Sequence, residues 1–103
     1  MTVDKSKTYA FGKLILFGEH FVVYPGTPAL VGAVAAYTDC SIEQDAGSSE
    51  ALKVVDDRPA VPNYKVKKKE EGDQAIRNVL NHLGVDEKGL TITFGGDLCC
   101  ASG

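Results

Sequence analysis

Four consecutive apolar residues, Leu14-Ile15-Leu16-Phe17, are closed in by Gly12-Lys13 on one side and Gly18-Glu19-His20 on the other. A continuous apolar run of strand length, without alternation, predicts a strand buried on both faces. Charged residues are seldom buried unless they are paired or act on a ligand. Three ionisable side chains bordering one such strand point to a polar site at the edge of a core. On residue types alone a second reading stays open: an ordinary strand-end lysine followed by solvated turn residues.

The neighbouring segments extend this pattern. Thr8 to Phe17 is rich in aromatic and branched residues and reads as one strand. His20 to Tyr24 is strand-like again, which suggests a hairpin with a very short connection at Gly18-Glu19. Pro25-Gly26 is a turn signal, because proline presets the first central position and glycine accepts positive φ at the second. Ala29 to Glu43 reads as strand at both ends, Gln44 to Glu50 as a loop, Leu52 to Val55 as a short strand, and Asp56 to Pro62 as another loop. A helix is expected over Asp73 to Leu83, where Ile76, Val79, Leu80 and Leu83 form one apolar stripe. Asp73 is placed to cap it, and Gly84 to end it in the left-handed region. Thr91 to Phe94 alternates as a strand, broken by Gly95-Gly96-Asp97. The pattern is that of an α+β fold, mostly strands with one clear helix packed on a mixed sheet.

Composition narrows the partners. Eleven Lys and Arg against fourteen Asp and Glu give a net charge of −3, which gives no reason to expect nucleic acid. The basic run Lys65-Val66-Lys67-Lys68-Lys69 runs straight into Glu70-Glu71 and reads as a solvated face, with phosphate or membrane contact as the alternative. Cys40, Cys99 and Cys100 are odd in number and lack metal-ligand spacing, so they read as reduced thiols of a cytoplasmic-type compartment. The Cys99-Cys100 pair reads as small apolar filler rather than as a redox centre. His82 sits where a helix C-terminus favours it. The start of the chain, Met1 to Lys7, is polar and lacks the apolar stretch of a signal peptide, and no transmembrane helix is expected. At 103 residues the chain can bury roughly 65% of its unfolded surface, enough for one small domain. It is short for an enzyme that must hold a nucleotide and a substrate together.

The nineteen residues Gly12 to Leu30, GKLILFGEHFVVYPGTPAL, resemble the first motif of the mevalonate kinases, in the superfamily that also contains the galactokinases, homoserine kinases and phosphomevalonate kinases. Gly12, Lys13, Ile15, Leu16, Gly18, Glu19, His20, Val22, Val23, Ala29 and Leu30 fit the family pattern. Val61-Pro62-Asn63-Tyr64 is a weaker echo of the family's Pro-Asn element on the nucleotide side. Gly95 to Gly103 stands where the approach to the family's phosphate-binding loop is expected, with Cys99-Cys100 in place of Pro-Pro and Ala101 in place of glycine.

The resemblance implies transfer of the ATP γ-phosphoryl group to the 5-hydroxyl of mevalonate, with Mg2+ as the metal and no membrane or nucleic-acid partner. It implies that Lys13 stabilises the developing alkoxide and the transferring phosphoryl group, that Glu19 and His20 contact or orient the substrate, and that Lys13, Asn63, Ser102 and Gly103 belong to the ATP side. No metal ligand is expected within the chain. Residues 1–103 are expected to be part of the N-terminal domain, ending inside the phosphate loop, with the magnesium ligands, the proton-accepting Asp and the C-terminal domain outside them. The chain by itself is then expected to be inactive. Two other readings are a superfamily kinase for a different small alcohol, and a non-catalytic binding module that keeps the kinase hairpin. The ionisable trio Lys13, Glu19 and His20 argues against the last.

Overall fold

The computed structural model describes residues 6–102. The elements run β1 (Thr8–Phe17), β2 (Leu30–Gln44), β3 (Lys53–Asp56), α1 (Tyr64–Lys67), α2 (Lys69–Leu83) and β4 (Leu90–Gly96). The four strands form one mixed sheet in the order β1-β2-β4-β3. β1 and β4 each pair antiparallel with β2, whereas β3 and β4 are parallel. Parallel neighbours cannot be joined by a tight turn, and α1 and α2 supply the crossover. The α+β class expected from the sequence is the one observed.

Register fixes the core. Ile92 of β4 stands opposite Ile42 of β2 and beside Val54 of β3, and Phe94 stands opposite Cys40 and beside Asp56. Leu80 of α2 closes over Leu90 and Ile92, with Ile76, Leu52, Cys40 and Phe94 packed around them. Leu80, Leu90 and Ile92 are 8%, 5% and 4% exposed, and each contributes about 1.5–3 kcal/mol by leaving water. The helix covers only part of the sheet. Ile42 is exposed although its register partner Ile92 is buried, and Val79 and Leu83, half of the α2 stripe, face solvent.

Several expectations are corrected. Leu14 to Phe17 is not buried on both faces: β1 is an edge strand, and Phe17 is 64% exposed. His20 to Tyr24 is not a strand. The Gly18 carbonyl accepts from the Phe21 and Val22 N–H groups at 3.2 and 2.9 Å, which winds this segment into turns. The hairpin partner of β1 is therefore β2, a single unbroken strand through the middle of Ala29 to Glu43. The Pro25-Gly26 turn does form: Gly26 has φ 78° and the Thr27 N–H donates to the Tyr24 carbonyl at 3.2 Å. α2 starts at Lys69 rather than Asp73. Asp73 makes no cap and instead accepts from Lys69 Nζ at 3.0 Å, one turn back. Gly84 ends the helix at φ 70°, as its left-handed freedom allows.

The accessible surface is 7766 Å², against about 5600 Å² for a compact monomer of this mass. At the β1–β2 end Leu14, Leu16, Phe17, Phe21, Val23 and Leu30 are all exposed. Among the described residues no helix is long and apolar enough to cross a membrane.

Candidate active site

Lys13 lies on the exposed surface of β1, paired in register with Ala33, just past an irregularity between Phe11 and Lys13. Gly12 explains the local packing. A side-chain Cβ at this position would stand 2.8 Å from Leu98 Cδ1 and 2.9 Å from Val34 Cγ2. The missing side chain thus lets the segment that follows β4 pack against β1, next to Lys13. At the far end of the strand, Gly18 has φ 95°, and a Cβ there would meet the Pro28 carbonyl oxygen at 2.6 Å. Glycine is required on both counts.

Glu19 and His20 follow in the turn, both exposed, with His20 Nε2 3.6 Å from Glu19 Oε1. Strand rise separates Lys13 from this turn by roughly 15 Å along β1. The structure therefore puts Lys13 in the middle of β1 and Glu19 and His20 in the turn beyond its end. A ligand has to reach along the strand for them to act together.

The segment after β4 is held at several points. Asp97 Oδ1 accepts from the Tyr37 N–H at 2.9 Å, and the Leu98 N–H donates to the Tyr37 carbonyl at 2.9 Å. Tyr37 also stacks with Tyr9 and Phe11 at ring distances of 5.6 and 6.5 Å. Farther on, the Cys100 N–H donates to the Pro59 carbonyl at 2.8 Å, and Cys100 Sγ lies 3.9 Å from Asp56 Oδ2. Residues 97–100 thus bridge β1 and the loop after β3. Ser102 is exposed at the end of this bridge, and Gly103 lies outside the described residues.

The loop after β3 is organised by one ion pair. Arg58 Nη2 and Nε donate to the two Asp56 oxygens at 2.7 and 2.9 Å, and the Arg58 backbone N–H donates to Oδ1 at 3.1 Å. Lys65 Nζ donates to the Asp56 carbonyl at 2.7 Å, and the Arg58 guanidinium sits 5.1 Å from the Phe94 ring centre. The hydrogen bonds from Arg58 hold the Asp56 carboxyl below the usual carboxylate range despite its partial burial. The same bond raises Arg58 further. By contrast, burial and the adjacent Asp39 carboxylate push the Cys40 thiol up.

Asn63 adopts φ 68°, ψ −4° immediately before α1, and its side chain makes no cap bond. It is exposed in the first residues past this loop. Beside it a cavity of about 620 Å³ opens between the sheet and the helices, with Val54, Phe94 and Ile76 as apolar lining, and with Arg58, Lys65, Lys68 and Lys69 facing Asp56, Glu71 and Asp73. Sequence reasoning missed this cavity. The Lys65–Lys69 run was expected to be a solvated face, which holds for Lys68 and Lys69, paired to Glu71 and Asp73. Lys65 departs from it, half-buried and tied to β3.

No family model and no curated protein sequence matches the chain. Among solved structures, the chain is similar to L. major mevalonate kinase, crystallised in complex with R-mevalonate. The identity is 42% over 96% of this chain, with a TM-score of 0.75. This chain has the fold of the N-terminal part of a mevalonate kinase. It spans about a third of that kinase, 32% of its length. The mevalonate-kinase fold accounts for the mixed sheet and the helical crossover described above, and the family resemblance of Gly12 to Leu30 falls on β1 and the turn after it.

Proposed function

We propose that the protein to which this chain belongs is an ATP-dependent mevalonate kinase, which transfers the γ-phosphoryl group to the 5-hydroxyl of mevalonate. The observation that carries this reading is 42% identity to a mevalonate kinase over nearly the whole chain, together with the Gly12-Lys13…Gly18-Glu19-His20 spacing within it. Phosphoryl transfer needs positioning and charge stabilisation more than covalent help. Lys13 is the residue for that work: its ammonium stabilises the alkoxide as the hydroxyl loses its proton, and the phosphoryl oxygens as they transfer. Glu19 and His20 orient the polar groups of the acceptor. Asn63 and the adjacent cavity receive the nucleoside; the cavity is of ligand size, with an apolar floor and a rim of paired charges. Ser102 and Gly103 approach the phosphates.

Magnesium, when bound, neutralises phosphate charge in such reactions. Among the described residues no three His, Cys, Asp or Glu side chains converge as a metal site. The 103 residues are part of the N-terminal domain of the proposed enzyme.

The test is ADP release by the purified full-length protein with ATP and mevalonate, galactose or homoserine in turn. Turnover with mevalonate alone supports the reading. Turnover with galactose or homoserine instead moves the protein to another branch of the superfamily, and no turnover with any alcohol favours a binding module.

A further inference from the structure

The contacts of the Asp56–Arg58 pair reach beyond its own loop. Asp56 ends β3, Arg58 and Pro59 follow it, and both sides of this corner hold Cys100: the Pro59 carbonyl accepts its N–H, and the Asp56 carboxylate flanks its thiol. Cys100 is buried, two residues before Ser102. The corner itself is braced from outside. Arg58 closes a two-point bond on Asp56 and lies on the Phe94 ring, while Lys65 ties the Asp56 carbonyl to α1. The Asp57 N–H donates to the Phe94 carbonyl at 2.8 Å and holds the corner to β4, and the pair adds the side-chain brace that sets the direction in which Pro59 presents its carbonyl to Cys100.

We propose that Asp56 and Arg58 are positioning residues for nucleotide binding: as a unit they set where the segment through Cys100 delivers Ser102. The inference rests on the mevalonate-kinase reading, in which Ser102 belongs to the ATP side. Neither residue need touch the nucleotide. A two-point guanidinium–carboxylate bond fixes direction as well as distance, which a lysine cannot reproduce.

A competing role for Arg58 is direct attraction of the nucleotide as a cation on the cavity rim. The two roles differ in what happens when Asp56 loses its charge. As a direct ligand, Arg58 freed from Asp56 binds ATP as well or better. As half of a latch, it positions nothing once Asp56 is neutralised.

The experiment is calorimetric titration of ATP into the full-length protein, as wild type, R58M, R58K, D56N and the D56N/R58M double variant. KM for ATP and for mevalonate is measured alongside, and thermal unfolding confirms that each variant is folded. The latch requires that R58M and D56N each weaken ATP binding by about 10- to 100-fold, the scale of a misplaced binding loop. R58K recovers little, the double variant is no weaker than the worse single one, and KM for mevalonate stays within about twofold. Unchanged ATP affinity in D56N beside a weakened R58M overturns the latch in favour of direct contact. Equal rises in both KM values overturn it in favour of general structural damage. Should R58M fail to fold, D56N and R58K carry the decision. A wild type that binds ATP without phosphorylating mevalonate overturns the proposed function and leaves the affinity comparison to judge the latch. A wild type that binds no ATP overturns both.

Discussion

Gly12 of β1 lies directly beneath Leu98, so closely that a single added carbon at position 12 would stand 2.8 Å from Leu98 Cδ1. This contact joins the first motif of the chain to the segment that leads toward Ser102, across 86 positions of sequence. Val34 closes the same gap from β2 at 2.9 Å. Leu98 Cδ1 ends a flexible side chain but Val34 is stiff at χ1, so Gly12→Ala is expected to be destabilising and Gly12→Val to cost more, about 1–3 kcal/mol by overpacking. Gly18→Ala is expected to cost more than Gly12→Ala, since it meets the Pro28 carbonyl and a positive φ together. Denaturant unfolding of the full-length variants checks the order; Gly18→Ala as stable as wild type contradicts the turn geometry.

The Asp56–Arg58 pair makes stability depend on pH with a definite sign. Arg58 holds the folded-state pKa of Asp56 below its unfolded value, so in acid the unfolded chain takes up the proton first. The contribution is complete above about pH 5 and is lost as the pH falls through the unfolded value near about 4 and on through the lower folded value. Unfolding free energies of wild type and D56N, measured from pH 3 to pH 7, are expected to differ most at neutral pH and to converge in acid. A constant gap between the two curves contradicts the pairing.

The 103-residue chain prepared alone is expected to self-associate and to show no mevalonate-dependent ATP turnover. Its apolar β1–β2 end is open, with Val23 76% exposed, and β1 leaves a strand edge unpaired. Light scattering and a coupled ADP assay check both halves. A monomer with a sharp cooperative transition, or turnover above a control without mevalonate, contradicts the expectation.

Much of this architecture is legible in the sequence where the signal is local. The strands expected at Thr8, Leu52 and Thr91 are found within a residue of their starts, although β4 runs on through Gly95-Gly96, and Gly84 and Pro25-Gly26 mark their turns by conformational freedom. The failures have separate causes. His20 to Tyr24 has strand propensity, but that propensity expresses packing on a sheet, and here Gly18 captures the backbone first. The first turn of α2, Lys69-Glu70-Glu71-Gly72, carries no apolar residue, so periodicity cannot find it. α1 is four residues long, too short for any period. Leu14 to Phe17 reads as interior by composition, yet burial depends on what covers a strand, and β1 is an edge. In the candidate site, Lys13, Glu19, His20 and Asn63 stand out as residue types in a pattern. Asp97 and the Asp56–Cys100 contact do not, because their partners lie 60 and 44 positions away.

Lys13→Met in the full-length protein is expected to lower kcat by about 10²- to 10³-fold, the scale of one preorganised electrostatic contact, with a smaller change in KM for ATP. Steady-state kinetics with folded protein checks it. A kcat within threefold of wild type removes Lys13 from the catalytic step and returns it to an ordinary strand lysine.

The most direct measurement is identification of the product. The full-length protein is incubated with ATP, Mg2+ and R-mevalonate, and the product is analysed by phosphorus NMR coupled to protons. Phosphoryl transfer to the primary alcohol gives a phosphomonoester whose phosphorus couples to the C5 methylene protons, with one ADP formed for each ester. ADP formed without that ester, or an ester only on an alcohol other than mevalonate, contradicts a mevalonate kinase.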